Sequence, residues 1–403
     1  MTKGRESKPH IGIYGRCNTG KSSLINCIAG QDIAIVADQP GITTDPVKKS
    51  FEITGFGPVI LIDTAGIDDS GSLGTKRVDR SLRTLDIIDL AILVVTDNLW
   101  GAPEDDLIEK FNELNTPFII IHNKSDIAKP AEAFKTIVAG KTGAELLEFS
   151  TVDKLNYEKL ISLICEKIPE QSAKAPALVG NLITQNDIVL LITPIDIEAP
   201  EGRLILPQVQ AIRDILDNNA VSIVLKETEA EAFLKTTGIK PALVITDSQV
   251  FKKVDAIIPR DIPLTSFSIL LARMKGNFDA YVEGTQKIPQ LKDGDRVLIL
   301  ESCSHHIACD DIGREKIPRW ISDFTGKKLN FDIVAGLDQF KRPITDYSLA
   351  IQCGACMITR KQLQNRLAAI IKAGISVSNY GMAIAFVHGI FERAVGAVGA
   401  DNE

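Results

Sequence analysis

Gly15-Arg16-Cys17-Asn18-Thr19-Gly20-Lys21-Ser22 is a complete G-x-x-x-x-G-K-[ST] phosphate loop, and its reading decides the fold of the first third of the chain. The run before it, His10-Ile11-Gly12-Ile13-Tyr14, reads as a short strand. The run after it, from Ser22 to Ala29, places apolar residues at helical spacing and stops at Gly30. Strand, glycine-rich turn and helix is the context this motif requires. Glycines let the backbone turn until successive N–H groups face one anion, and the helix N-terminus adds partial positive charge. Gly15, Asn18, Thr19, Gly20, Lys21, Ser22 and Ser23 are therefore the expected phosphate cradle. Lys21 would reach the β- and γ-phosphates, and the Ser22 hydroxyl would ligate Mg2+.

Three further elements follow in the order a guanine-nucleotide domain demands. Residues 38–45 have the composition of a first switch loop, in which Thr43 offers a hydroxyl to Mg2+ and the γ-phosphate. A strand pair over 48–53 and 59–62 leads into Asp63-Thr64-Ala65-Gly66. There Asp63 suits outer-sphere Mg2+ coordination and the Gly66 N–H meets the γ-phosphate. Residues 89–95 and 117–121 are apolar runs expected to be parallel strands. The second ends in Asn123-Lys124-Ser125-Asp126. The Asp126 carboxylate of such an element accepts hydrogen bonds from guanine N1 and N2, a donor pair adenine lacks. Ser150-Thr151 stands where a fifth, guanine-contacting loop belongs. The expected ligands are GTP and GDP with Mg2+, and the expected reaction is GTP hydrolysis with Lys21, Thr43, Asp63 and Gly66 at its centre.

Gly66 is followed by Ile67, where Ras-like enzymes carry the Gln that orients water, so intrinsic hydrolysis is expected to be slow. The arrangement resembles the subgroup of tRNA-modification and ribosome-assembly GTPases. That resemblance implies that Asn18 helps hold a K+ ion and that K+ stimulates turnover more than Na+.

The 403 residues exceed one ordinary core, so two or three domains are expected. Hydrophobic content of 45% and charged content of 24% are those of a globular protein. A net charge of −7 and a pI near 5.5 argue against nucleic-acid binding as the main task. Residues 375–395, the most apolar segment, contain Ser376, Ser378, Asn379, His388, Glu392 and Arg393, which points to a buried helix rather than a membrane span. A cytoplasmic location and no membrane partner are expected.

Residues 169–176 have the composition of a linker and close a GTP-binding domain over 1–170. Residues 171–265 alternate strand, helix, strand, helix, strand, which implies a small parallel α/β sheet. That segment carries no group pointing to chemistry, and association as a homodimer is its expected role. Residues 266–403 form a third α/β domain carrying four of the seven cysteines. A strand over 296–300 runs into Glu301-Ser302-Cys303-Ser304-His305-His306, and an apolar run over 349–351 leads to Gln352-Cys353-Gly354-Ala355-Cys356. Both groups sit just past strand ends, where open α/β sheets place their sites. Cys303, Cys353 and Cys356 fit a [4Fe-4S] cluster with a replaceable fourth position, taken by His305 or by Glu301. Structural zinc with three Cys and one His fits the same residue types equally. Residues 361–373 and 377–395 are expected to be two covering helices.

A GTPase domain joined to C-x-H, a spacer of 46 residues from His305 to Gln352, and C-x-x-C resembles the HydF family of [FeFe]-hydrogenase maturation GTPases over essentially the whole chain. Many members carry His just before C-x-x-C, and this chain has Gln352. The resemblance implies a scaffold that binds a [4Fe-4S] cluster and a diiron subcluster precursor as cargo. Two radical-SAM maturases would mature that cargo, and the apo-[FeFe]-hydrogenase would receive it. GTP hydrolysis would act as a switch in partner association through 42–44 and 67–73. The other function weighed is a tRNA-modification or ribosome-assembly GTPase with a structural zinc domain.

Overall fold

The computed structural model describes residues 8–29, 47–53, 56–69, 71–169, 177–194, 204–302, 311–336, 338 and 340–399. Thr43, Cys303 and His305, each expected at a site, lie outside the described residues. The chain divides into two compact units, Met1–Ala175 and Pro176–Glu403.

In the first unit the elements run β1 (His10–Gly15), α1 (Lys21–Ala29), β2 (Val47–Ile53), β3 (Gly57–Asp63), α2 (Gly71–Arg83), β4 (Leu90–Val95) and α3 (Ala102–Glu113). They continue with β5 (Phe118–His122), α4 (Glu132–Thr142), β6 (Leu146–Glu148) and α5 (Tyr157–Lys167). The sheet order is β2-β3-β1-β4-β5-β6, and only β2 runs antiparallel to its neighbour. Strands β1 and β4 are buried along their whole length because helices cover both faces. Their side chains alternate between two cores: Ile92 and Val94 join Ile11, Ile13 and Leu24, while Ala91, Leu93 and Val95 join Tyr14 and Phe111. Strand β1 lies between β3 and β4, so the loop that leaves it opens at the point where the strand order reverses.

The second unit begins with β7 (Ile188–Ile192), α6 (Leu206–Asp217), β8 (Val221–Leu225), α7 (Ala230–Thr237), β9 (Leu243–Thr246), α8 (Phe251–Ile257) and β10 (Leu264–Ser266). Next come α9 (Phe267–Lys275), α10 (Phe278–Thr285), β11 (Arg296–Leu300), α11 (Ile317–Thr325), β12 (Asn330–Val334) and β13 (Leu349–Gln352). It closes with α12 (Arg360–Lys372), β14 (Ser376–Asn379), α13 (Tyr380–Val387) and α14 (Phe391–Gly399). Two all-parallel four-stranded sheets result, β10-β9-β7-β8 and β12-β11-β13-β14. One continuous apolar cluster serves both, running from Val189 and Leu243 through Phe267 and Tyr281 to Leu298, Val377 and Ala394.

The expected single helix over 377–395 is corrected. Residues 376–379 are the fourth strand of the last sheet, and two short helices follow. A fully buried parallel strand has no polar face, so periodicity cannot separate it from a buried helix. The local start signal was present, since the Asn379 side chain caps α13 by accepting from Gly381 N at 2.9 Å.

Candidate functional site

The phosphate loop leaves β1 with Asn18 in the left-handed region at φ 62° and Gly20 at φ 88°. Gly20 is required twice over. Its φ suits glycine, and a Cβ there would collide with the Asn123 amide. That amide donates from Nδ2 to the Thr19 carbonyl at 2.9 Å, tying the base-reading segment to the phosphate loop. Lys124 follows at φ 59°, and the Asp126 carboxylate is exposed. Ser150 is fully buried, and its Oγ accepts from Val152 N at 3.2 Å.

At the metal end of the loop, the Ser22 hydroxyl donates to Asp63 Oδ2 at 2.8 Å. Asp63 Oδ1 is buried without a partner, an orphaned oxygen of the kind a hydrated divalent cation satisfies. Burial pushes the Asp63 carboxyl above its usual range, opposed by the Ser22 bond and by Lys21. Burial also pushes the Lys21 ammonium down, and Asp63 is the first charge opposing that. Lys21 Nζ donates to the carbonyls of Gly15 at 3.0 Å and Arg16 at 2.7 Å.

Two contacts here were not foreseen from the motif alone. Arg16 makes a two-pronged ion pair with Glu104, Nε to Oε1 and Nη2 to Oε2, both at 2.8 Å. Glu104 is the third residue of α3 and also accepts from Gly101 N at 2.8 Å, the glutamate half of a capping box. The signal was Gly101-Ala102-Pro103-Glu104, a helix start whose acid points back. Asp68, just past Gly66, accepts from Cys17 N at 2.7 Å and so bonds the loop after β3 to the phosphate loop. The second contact depends on Gly66, where a Cβ would collide with the Cys17 sulfur.

In the second unit, β11 and β13 are adjacent parallel strands with Leu300 opposite Gln352. Strand β11 connects outward to β12 on one side, and β13 lies on the other, so their carboxyl ends flank the reversal point of this sheet. Cys353 N donates to the Leu300 carbonyl at 2.9 Å, and its Sγ lies 3.1 Å from Ser302 Oγ. Glu301-Ser302 and Gln352-Cys353, 50 residues apart, therefore meet, with Gln352 Nε2 donating to Ser302 Oγ at 2.9 Å.

The C-x-x-C segment is a tight turn with Ala355 in the left-handed region at φ 55°. Cys353 Sγ accepts from Ala355 N at 3.4 Å and from Gln352 Nε2 at 3.3 Å. N–H donors on a cysteine sulfur are the supporting bonds that metal-bound sulfurs keep, so the donor set fits a sulfur-ligated metal. Cys353 and Cys356 are both half-buried. Gln352 is buried and supports the sulfur rather than offering a strong ligand. The Glu301 carboxylate is held by Arg314, Nε to Oε1 at 3.0 Å and Nη2 to Oε2 at 2.7 Å, so donating an oxygen elsewhere means breaking that pair. Among the described residues no three His, Cys, Asp or Glu converge as a metal group.

The family model described as Hydrogen maturase F dimerization domain matches residues 178–276, and that of the Hydrogen maturase F tetramerization domain matches 279–397. The model of a 50S ribosome-binding GTPase matches residues 10–124. GTPase Era of Caldicellulosiruptor saccharolyticus is 30% identical over 166 residues, 40% of this chain and 55% of that protein. The tRNA modification GTPase MnmE of Synechococcus sp. (strain JA-2-3B'a(2-13)) is 41% identical over 124 residues, 30% of this chain and 26% of that protein. The chain thus spans about half the length of the first of these curated relatives and about a quarter of the second. Aquifex aeolicus Era bound to GDP.AlF4- aligns at 19% identity with a TM-score of 0.37, over 57% of this chain and 98% of that one. No helix among the described residues is long and apolar enough to cross a membrane.

Proposed function

The chain belongs to the hydrogen maturase F family, and from that premise we propose that it is a GTP-hydrolysing scaffold that assembles and hands over a metal cluster for an [FeFe]-hydrogenase. The single observation that carries the reading is the meeting of Ser302 and Cys353 at the reversal point of the last sheet. It brings the segment that leads into Cys303 beside the C-x-x-C turn. Cys303, Cys353 and Cys356 would hold a [4Fe-4S] cluster as thiolates, leaving its fourth position to an exchangeable donor: His305, or Glu301 once released from Arg314. Such a cluster supplies an open iron coordination site to which a diiron precursor can attach and from which it can leave. Two radical-SAM maturases would supply the precursor, and the apo-hydrogenase would take it. A homodimer or higher oligomer follows from the two matched association domains.

In the first unit the residues divide the work of GTP hydrolysis. Lys21 exchanges its two backbone carbonyls for the β- and γ-phosphates. Ser22 and Asp63 would hold Mg2+, and Thr43 would offer it a further hydroxyl. Gly66 presents its N–H to the γ-phosphate, and Asp126 selects guanine. Asn18, exposed on the loop, would help bind K+ beside the phosphates. Ile67 cannot orient water, so turnover is slow, as suits a switch in partner association.

Anaerobic reconstitution with ferrous iron and sulfide, followed by metal analysis and EPR of the reduced protein, tests the cluster. Four irons per chain and a cluster signal lost in Cys353→Ser are expected. Tightly bound zinc, or iron content unchanged in Cys353→Ser, would overturn the scaffold reading and leave the nucleotide site standing.

A further inference from the structure

Arg366, on α12, is a cation placed where proteins seldom put one. Its side chain is only 8% exposed. Nη1 donates to the Glu301 carbonyl at 3.1 Å and Nη2 to the Val334 carbonyl at 3.4 Å. Among the described residues no carboxylate pairs with it. The one beside it, that of Glu301, is already neutralised by Arg314. Carbonyl dipoles ease the burial of a guanidinium but do not balance its charge, and an unbalanced buried charge is costly. The Glu301 carbonyl it holds is the residue next to Leu300, on whose carbonyl Cys353 N docks.

Lys275, the last residue of α9, is 6% exposed. Its Nζ donates to the Ala355 carbonyl at 3.0 Å and the Ile358 carbonyl at 3.1 Å. Two buried cations thus hold backbone around the site, Lys275 the carbonyls of the C-x-x-C segment and Arg366 those of Glu301 and Val334 at the ends of β11 and β12. Cys353 is the strongest of the negative groups that hold the Arg366 guanidinium up against its burial, with Asp338 acting more weakly. The Tyr281 hydroxyl, fully buried and without a hydrogen-bond partner, feels both Cys353 and Arg366.

We propose that Arg366, with Lys275 behind the turn, is the built-in counter-charge of the Cys353–Cys356 site, and that the site is shaped for a ligand of net negative charge. The inference rests on the cluster reading above, and that ligand is the thiolate-held iron–sulfur cluster. Thiolates and sulfides outweigh the iron charge, and reduction adds one more negative charge. A neighbouring cation stabilises the reduced form most, so Arg366 raises the midpoint potential. It is a positioning residue that binds the carbonyls of Glu301 and Val334 beside the turn.

The test uses the full chain, reconstituted anaerobically with ferrous iron and sulfide, as wild type, Arg366→Gln and Arg366→Lys. Midpoint potentials come from EPR-monitored redox titration, iron content from metal analysis, and GTP hydrolysis confirms an intact first unit. Arg366→Gln is expected to make reduction at least tenfold less favourable, a shift of about 59 mV to more negative potential for one electron. Arg366→Lys keeps the charge and is expected to stay near wild type. Where Arg366→Gln fails to hold iron, retention of iron and potential in Arg366→Lys supports the same conclusion. Equal potentials in wild type and Arg366→Gln overturn the inference while the cluster reading stands. A shift in Arg366→Lys as large as in Arg366→Gln also overturns it, because shape and not charge is then at issue. A wild-type chain that takes up no iron removes both.

Discussion

Breaking the Arg16–Glu104 pair should destabilise the first unit unequally, depending on which partner is removed. Glu104 is 1% exposed and Arg16 is 28% exposed, so only the arginine can turn to water when left alone. Arg16→Ala strands a buried carboxylate that keeps one hydrogen bond, from Gly101 N. That places the cost at about 3–5 kcal/mol, the range for removing one partner of a buried pair. Glu104→Ala loses the charge-assisted bonds and the cap but frees the guanidinium, a cost of roughly 1.5–3 kcal/mol. The double variant should cost less than the sum by about 2 kcal/mol, the coupling of groups in direct contact. Urea unfolding reads this through Trp100, whose Nε1 donates to Asp105 Oδ1 at 2.7 Å one residue beyond Glu104. The other tryptophan, Trp320, is changed to Phe so that emission reports the first unit alone. Both variants should also bind GTP more weakly, because the second residue of the phosphate loop loses its anchor. An Arg16→Ala cost below that of Glu104→Ala, or additivity within about 0.5 kcal/mol, would refute the reasoning.

Asp126→Asn should weaken GTP binding by about a hundredfold or more, the loss of a paired charge-assisted contact, and should favour a base with a carbonyl at C2; calorimetry with GTP and XTP checks it. Asp63 offers a test in pH. Its folded-state pKa lies above the unfolded value, so its contribution to stability is complete below the unfolded pKa and is lost as pH rises through the folded one. Without nucleotide, Asp63→Asn should therefore gain on wild type at pH 7, and the gap should narrow on acidification; a flat difference in urea midpoint would refute this. Replacing K+ by Na+ should slow GTP hydrolysis, and equal rates would remove the role given to Asn18.

The nucleotide half of the molecule was legible because its chemistry is written locally. Lys21, Ser22, Asp63 and Asn123 belong to short motifs whose backbone shapes follow from glycine placement and strand ends. The strands over 188–192, 221–225 and 243–246 were legible too, because helices alternate with them. Two of the contacts that escaped share a physical cause, action at a distance in sequence. Glu104 reaches back 88 residues to Arg16, and Arg366 lies 65 residues beyond the carbonyl it binds. Helical spacing puts Arg366 on the face of Leu363, Leu367 and Ile370, but a long cation there can reach back to water; only the fold shows it buried. The strand over 376–379 was hidden for the opposite reason. Three of its four residues are buried, polar Ser378 and Asn379 among them, which erases the pattern that separates strand from helix.

The single apolar mass shared by the two sheets of the second unit carries a consequence for how association and cluster chemistry are joined. Matched segments named for dimerization and tetramerization meet near residues 276–279, yet Phe267 and Leu270 on one side pack in the same cluster as Tyr281, Met382 and Ala385 on the other. A cut at that seam would strip both halves of their covering and leave two sticky fragments. The two pieces are therefore expected to melt as one body, association segment and cluster segment together.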